Sequence, residues 1–551
     1  MLSSIMLKNY KAFSLLPSTE IKPITVLCGS NSCGKTSMMQ SLLLLKQTLE
    51  SNYSVPLLFD GPFAHLCDFH TMVHGQKAER SISVSHTFDF SRYEWIVSQE
   101  DIPVQLGWLF PRAWILSQGL DPDLVKLSIE LMIEFDCPDI NPDTRAKLRK
   151  QSYVDSKNAL SSKVLAQALR EANLSAERWA DLHRFRSVSI RSWSLVCTFR
   201  STGQQEKKLE GFRFLLERSK DTVPEFVPPG LGYADQSIPP DYEVSWDHAT
   251  EHIWEGRPAC PFVNKGKSVC KVSFRNLVPV RTGGSDAQSA ETVERILSQA
   301  SLPLLLKALY REFSYVGPLR EEPSRQSAPK EQIEDIGIKG ENAPDVLFRD
   351  GENMISYWHG LDSRGKIAEM DARPVADVLQ YWLRQMGISD FGFSIGDHFI
   401  DLRMSSSSDP ALRVGVQDVG FGISQVYPIL LEGIRLREGR TLLLEQPEIH
   451  LHPALQMNLA DFLLCQALDG KGIVVETHSE HIVNRLVRRM VEDPSYRDLV
   501  GIYFFQASPT GSVAEEIEYD DVFGIANWPK GFFDQAAEEI RSIMRAGIKR
   551  K

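Results

Sequence analysis

A chain of 551 residues with 42% hydrophobic and 24% charged residues has the make-up of a large globular protein, long enough for about three domain-sized units or for one domain split by an insertion. The net charge of −11 excludes a surface coated throughout with cations for nucleic acid, no apolar run reaches the roughly 18 residues of a membrane span, and the start Met1-Leu2-Ser3-Ser4-Ile5 has neither a basic leader nor a small-residue cleavage site, so a cytoplasmic protein without a membrane partner is expected. Eight cysteines without a C-x-x-C pair exclude a disulfide framework and a strong zinc motif.

The first predicted strand is the β-branched, apolar Ile24-Thr25-Val26-Leu27. It runs into Gly29-Ser30-Asn31-Ser32-Cys33-Gly34-Lys35-Thr36, which fits G-x-x-x-x-G-K-[ST], and a helix is expected from about Gly34 through Leu45. Strand, glycine-bounded loop and helix N-terminus make a cradle for the α- and β-phosphates of a nucleotide. Asn31, Cys33, Gly34, Lys35, Thr36 and Ser37 are therefore the expected ATP-binding residues, with Lys35 reaching the β- and γ-phosphates and Thr36 ligating Mg²⁺.

Phe59 to Leu66 reads as a turn-rich segment, and from about residue 95 the chain changes character. Leu120-Asp121-Pro122 and Ile140-Asn141-Pro142-Asp143 punctuate helical patterns, and Ala146 to His183 reads as a pair of amphipathic helices. Ser189 to Arg200 and Lys208 to Leu216 look like paired strands, with Pro228-Pro229-Gly230, Pro239-Pro240 and Gly283-Gly284-Ser285 as breaks. The heptads of a long coiled-coil arm are missing. His248, His252, Cys260 and Cys270 form a wide, weak metal-like grouping, and Trp193 and Trp254 are expected in the core more than at an interface.

Three features follow in a telling order. Asp418-Val419-Gly420-Phe421-Gly422-Ile423-Ser424-Gln425-Val426 puts glycines before a Ser-Gln pair that opens an apolar helix, expected over Tyr427 to Ile434. Thr441-Leu442-Leu443-Leu444-Glu445-Gln446-Pro447-Glu448 is a buried-type strand ending in carboxylates, the Walker B position at which an acid holds the metal. Gly472-Ile473-Val474-Val475-Glu476-Thr477-His478-Ser479 is a further apolar strand ending on a histidine.

P-loop, glycine-rich Ser-Gln signature, Walker B and post-strand histidine, in that order, resemble the ABC-type ATPase heads of transporters, SMC-like proteins and overcoming-lysogenization-defect ATPases. The stretch Glu445 to Pro453, Glu476-Thr477-His478-Ser479, Tyr315-Val316-Gly317-Pro318-Leu319-Arg320 and Trp528-Pro529-Lys530-Gly531-Phe532-Phe533-Asp534 narrow the resemblance to stand-alone bacterial AAA15/21-type ATPases, and among them to the PtuA-type ATPases of Septu and retron-associated antiphage systems. It covers residues 1 to about 90 and about 310 to 551.

The resemblance implies an α/β fold: a P-loop ABC-type ATPase head, a mixed sheet with flanking helices, carrying an inserted helical and β accessory region. The expected segments are 1–94 (P-loop part of the head), 95–310 (accessory, partner-binding) and 311–551 (signature, Walker B, switch histidine). The resemblance further implies two heads sandwiching ATP. Gly420, Gly422, Ser424 and Gln425 would then complete a partner subunit's site, Glu445 would hold Mg²⁺ with Thr36, His478 would face the γ-phosphate, and His450-Leu451-His452-Pro453 would form the D-loop region. Gln76 is a candidate for the family's glutamine-bearing loop. Implied partners are a second copy or higher oligomer, an HNH nuclease subunit of the PtuB kind and, in a retron, a reverse transcriptase with its RNA–DNA hybrid.

One departure bears on mechanism. Gln446 stands where such heads carry a catalytic glutamate, and an amide cannot take a proton at neutral pH. Slow hydrolysis of ATP to ADP and phosphate is expected, with Glu448 or Glu476 as alternative bases. Only 73 residues follow His478, too few for an appended Toprim nuclease, so an effector is expected on a separate chain. The competing reading is an SMC-like DNA-repair ATPase acting directly on DNA, for which the terminal Arg545 to Lys551 is a small basic patch; a transporter ATPase is a third.

Overall fold

A computed structural model describes residues 1–53, 55–77, 80–90, 125–137, 188–201, 208–219, 241–248, 253–254, 257–258, 265–284, 302–321, 333, 335–388, 392–396, 399–405, 412–415, 421–520, 524–527, 529, 531–533 and 535–548. The chain forms two compact units: Met1, Glu20–Met39 and Glu312–Lys551 make one, Leu2–Thr19 and Gln40–Arg311 the other.

The first unit is built on a six-stranded sheet in the order Phe313–Val316, Thr441–Glu445, Gly472–Glu476, Ile24–Gly29, Val500–Gln506, Val513–Glu516. The first five strands are parallel, and the last pairs antiparallel at the edge. Strands of a parallel sheet are covered on both faces and read as continuous apolar runs, as Thr441–Glu445 and Gly472–Glu476 do, being buried throughout. Register aligns Glu445 with Glu476 and Glu476 with Leu27, so the carboxylates and the start of the P-loop share the carboxyl edge, where open α/β sheets bind ligands.

Helices pack on this sheet. Trp382 of Val375–Gln385 meets Phe462 of Pro453–Leu468 edge-on at 5.2 Å, both rings fully buried. Ser479 caps Glu480–Glu492 by accepting from the Ile482 N–H at 3.1 Å, and Arg489 of that helix pairs with buried Asp461 at 2.8 Å. The signature helix spans Phe421–Arg435, six residues longer at its start than expected, with Pro428 inside it. Gly422 reads as a breaker because of its propensity, yet a Cβ there would lie 2.9 Å from the His450 carbonyl oxygen. Packing selects glycine within the helix.

The second unit holds a nine-stranded sheet in the order Val278–Gly284, Lys265–Arg275, Asp241–His248, Lys208–Arg218, Ser189–Ser201, Val125–Asp136, Ile82–Phe90, Leu2–Tyr10, Phe13–Glu20. From Val278–Gly284 through Leu2–Tyr10 every pairing is antiparallel. Alternation writes this sheet: Leu127, Ile129, Leu131, Ile133 and Phe135 are all buried on one strand. The expected strand pair is present as Ser189–Ser201 against Lys208–Arg218, and Trp193 lies wholly buried, edge-on to Phe214 at 6.1 Å.

Strands from the expected head segment 1–94 and from the expected accessory segment 95–310 thus share one sheet, so the compact units do not follow the three sequence segments. The long range of strand order explains the difference, since Leu2–Tyr10 is joined to its sheet through Ile82–Phe90. The helical pair at 146–183, His252 and Cys260 lie outside the described residues, as does the side chain of Trp254. Among the described residues no helix is long and apolar enough to cross a membrane.

Candidate nucleotide site

The P-loop is shaped by backbone demands. Gly29 ends its strand at φ 132°, and a Cβ on it would fall 2.1 Å from the Phe505 carbonyl oxygen, so no other residue fits. Ser32 at φ 62° and Gly34 at φ 96° turn the chain again and deliver it into the helix Lys35–Glu50. Lys35 is only 3% exposed; its Nζ donates to the carbonyl oxygens of Gly29 at 3.1 Å and Ser30 at 2.8 Å. Asn31 and Ser32 are exposed at the loop tip, while Cys33 and Ser37 are buried. Cys33 Sγ lies 2.8 Å from Ser30 Oγ.

Two strand ends bring carboxylates to this loop. Thr36 Oγ1 donates to Glu476 Oε2 at 2.7 Å, and Lys35 Nζ lies 3.9 Å from Glu476 Oε1. Burial raises the Glu476 carboxyl above its usual range, with the Thr36 hydroxyl and Lys35 acting against it. Glu445, in register on the adjacent strand and buried, accepts from the Tyr315 hydroxyl at 2.9 Å. Glu448 Oε1 accepts from the His478 N–H at 2.7 Å, while Oε2 is buried without a hydrogen-bond partner among the described residues. Burial raises this carboxyl too. His478 is exposed, and desolvation together with the Lys35 charge lowers the pKa of its ring.

Gln446 turns left-handed at φ 45°. Its N–H donates to the Glu476 carbonyl oxygen at 2.8 Å, and Arg320 donates to the carbonyl oxygens of Glu445 at 2.8 Å and Gln446 at 3.1 Å. Gln425 Nε2 donates to the Arg320 carbonyl oxygen at 3.4 Å. The signature residues thus meet the Walker B neighbourhood of their own chain: Gln425 through Arg320, Gly422 against His450. Ser424 and Gln425 are 4% and 3% exposed, so the single chain does not present their side chains to a partner. Gly420 lies outside the described residues. His450 is exposed at φ 63°, and His452 caps Pro453–Leu468 by accepting from the Ala454 N–H at 3.3 Å. Gln76 is exposed in the short turn His74–Gln76.

Sequence reasoning missed Tyr315 and Arg320 as site residues and treated Glu476 only as an alternative base. The Tyr-Val-Gly-Pro-Leu-Arg run, a strand end followed by a Gly-Pro turn and a lone arginine, was the available signal. Among the described residues no group of three His, Cys, Asp or Glu side chains could hold a metal, so a divalent cation would rely on the Thr36 hydroxyl, the strand-end carboxylates and the nucleotide itself. The residues fit a nucleoside triphosphate with Mg²⁺: a loop closed to any side chain at Gly29, a buried ammonium, a hydroxyl and carboxylates at the sheet's carboxyl edge.

Fold and site together define a P-loop ATPase head of the α/β class. The chain matches the AAA ATPase domain family over residues 1–182 and 390–483, just over half its length, and belongs to that family. The match reaches farther into the middle than the motif-borne resemblance did. Residues 497–543 match a second family, a protein of unknown function (DUF3696). None of the curated proteins matches this chain.

Among solved structures, an Smc head bound to the C-winged helix domain of ScpA is 8% identical with a TM-score of 0.35, covering 94% of this chain and 98% of that one. The SMC head domain from Thermotoga maritima is 8% identical at 0.32, covering 94% and 99%. A Pyrococcus furiosus Smc head with an extended coiled coil, bound to the C-terminal domain of ScpA, is 8% identical at 0.34, covering 98% and 99%. Likeness at this level carries no weight for fold or partners.

Proposed function

We propose that this chain binds Mg·ATP at Gly29–Ser37, hydrolyses it slowly, and acts as a nucleotide-gated ABC-type subunit that controls a separate nuclease in antiviral defence. The observation that carries the nucleotide reading is the Lys35, Thr36 and Glu476 cluster, which gathers a phosphate-binding ammonium, a metal-ligating hydroxyl and a buried carboxylate at one loop. Mg²⁺ would supply charge neutralisation between the phosphates. Thr36 and Glu445 would ligate it, with Glu476 orienting the Thr36 hydroxyl.

Gln446 can orient water but cannot accept its proton. Glu476 is engaged by Thr36 and Lys35, which leaves Glu448, its proton affinity raised by burial, the better base. The His478 main-chain N–H donates to Glu448, and its ring would face the γ-phosphate beside that carboxylate. Slow turnover makes the ATP-bound form long-lived, and mass action then favours an assembly that only this form makes.

The assembly would be a pair of heads or a higher oligomer. The defence role, the HNH nuclease of PtuB kind and the retron reverse transcriptase with its RNA–DNA hybrid rest on the motif resemblance. Because Ser424 and Gln425 are buried in the single chain, head pairing through the signature requires a shift of the helix start near Phe421. The test is solution mass with and without ATP, alongside copurification with an HNH nuclease encoded beside this chain. An ATP-dependent doubling that Lys35→Ala abolishes, with nuclease in the complex, is expected. An ATP-indifferent mass with brisk, DNA-stimulated turnover would favour the DNA-repair alternative.

A further inference from the structure

Arg320 is 6% exposed, yet its guanidinium is committed to main-chain oxygens: Nη2 to Glu445 and Nη1 to Gln446. Its Nε is buried without a hydrogen-bond partner among the described residues. Burying a guanidinium whose hydrogen bonds go to neutral carbonyls is expensive, and the nearby Glu448 and Glu445 carboxylates offset only part of that cost. What the arginine adds is a two-pronged clamp on consecutive carbonyls, one of them at Gln446, whose left-handed φ of 45° is otherwise unfavourable for a residue with a Cβ.

The same run of chain grips the Glu445 side chain as well, since the Tyr315 hydroxyl donates to Glu445 Oε1. Backbone and carboxylate of the Walker B acid are therefore both fixed from the segment that follows Phe313–Val316. That segment is anchored independently by the Gly317 N–H on the Ile338 carbonyl oxygen at 2.8 Å. On its other side, the Gln425 amide of the signature helix donates to the Arg320 carbonyl oxygen. Arg320 thus touches both functional segments, through its backbone on the signature side and its side chain on the Walker B side.

We propose that Arg320 is a positioning residue that couples the signature helix to the Walker B turn, so that displacement of the helix start alters how Glu445 is presented to the metal. The proposal rests on the nucleotide reading above. A shift at Gln425 pulls on the Arg320 backbone, and the guanidinium carries that pull to the Glu445 and Gln446 carbonyls. Burial lowers the Arg320 pKa to about 10, which leaves it charged at neutral pH and able to hold both oxygens.

The full chain is tested by the Mg²⁺ concentration needed for half-maximal binding of a fluorescent ATP analogue, which needs no turnover. Arg320→Ala is expected to raise that concentration about tenfold, as loss of an outer partner of a metal ligand does, while metal-free binding of the analogue stays within about twofold. Millimolar guanidinium ion should restore part of the requirement in Arg320→Ala and leave wild type unchanged. Arg320→Lys, which keeps the charge but loses the fork, should shift the same way and decides the matter where Arg320→Ala does not fold. Combining Arg320→Lys with Gln425→Met should shift the requirement no further than Arg320→Lys alone, because both break one connection.

A wild-type Mg²⁺ requirement in a folded Arg320 variant, an equal loss of metal-free binding, or additive effects with Gln425→Met would overturn the proposal. Lys35→Ala separates this from the reading beneath it. If Lys35→Ala still binds the analogue as wild type does, the nucleotide site itself is misplaced; if it does not, the Arg320 result stands alone.

Discussion

The Thr36 hydroxyl and the Glu476 carboxylate, 440 residues apart in the chain, are joined by a hydrogen bond of 2.7 Å at the mouth of the P-loop. Thr36→Val keeps the shape of the residue and removes the donor. A buried carboxylate left without its donor costs about 1–3 kcal/mol of stability. The larger expected effect is on metal-dependent binding: at least a tenfold weaker Mg·ATP affinity, about 1.4 kcal/mol, with metal-free binding little changed. Titration of fluorescent ATP at fixed Mg²⁺ measures it, and unchanged affinity would remove Thr36 from the metal site.

Glu448 and Glu476 should separate cleanly when each is changed to glutamine. Glu448→Gln is expected to slow turnover by about 10²–10⁴-fold while ATP still binds, because a proton acceptor is lost. Glu476→Gln should instead weaken Mg²⁺ binding through Thr36 and so raise the Mg²⁺ concentration needed. The sign of the pH dependence follows from burial. The Glu448 carboxyl titrates above the usual value of about 4.3, and only its charged form accepts a proton, so turnover falls on acidification at a higher pH than an unshifted glutamate would allow. A pH–rate profile of wild type against Glu448→Gln decides it. Equal rates would leave Glu476 as the base.

Gly29→Ala tests the loop geometry alone. At φ 132°, with the Phe505 carbonyl oxygen 2.1 Å from where a Cβ must go, the substitution cannot be absorbed by a rotamer change. We expect loss of ATP binding together with destabilisation of at least about 1–3 kcal/mol, from backbone strain before the clash is counted. Gly75→Ala is the control for a positive φ without a clash, since Gly75 sits at φ 67° with nothing within 4 Å of the added carbon. Comparable denaturation midpoints for the two variants would show that neither the φ of 132° nor the Phe505 contact selects glycine at position 29.

The P-loop was legible because all its fixed positions are contiguous and its strand and helix flank them directly. The strand ending in Glu445 was legible for a related reason: burial on both faces erases alternation and leaves an apolar run that stops at a charge. The start of the signature helix was not, since Gly422 reads as a breaker until the His450 carbonyl is seen to exclude a Cβ. Nor was the partnership of Thr36 with Glu476, because register between Gly472–Glu476 and Ile24–Gly29 is fixed by a sheet assembled from distant segments. Arg320 illustrates the same limit, as its bonds go to main-chain oxygens and a carbonyl oxygen has no sequence signature.

The last prediction concerns acid stability and His86. This ring is wholly buried on Ile82–Phe90, with Nε2 3.1 Å from Ser41 Oγ and Nδ1 2.6 Å from the Tyr310 hydroxyl. Burial pushes the His86 pKa down to about 3. The unfolded chain takes up a proton near pH 6.5, whereas the folded chain resists it until about pH 3. The neutral ring therefore contributes its full stability above pH 6.5 and loses it progressively as pH falls toward 3, by up to about 1.4 kcal/mol per pH unit. Hydrogen exchange of the Ile82–Phe90 amides across that window should show opening that becomes easier on acidification. His86→Phe cannot titrate; it should be less stable at neutral pH, having left two hydroxyls without the ring, but its opening should depend less on pH than that of wild type. Acidic carboxylates contribute equally to both proteins, so the difference between the two slopes isolates His86. Parallel slopes would mean that the ring is reached by water, and that Ile82–Phe90 is held more loosely than the packing of His86 and Phe88 against Tyr310 requires.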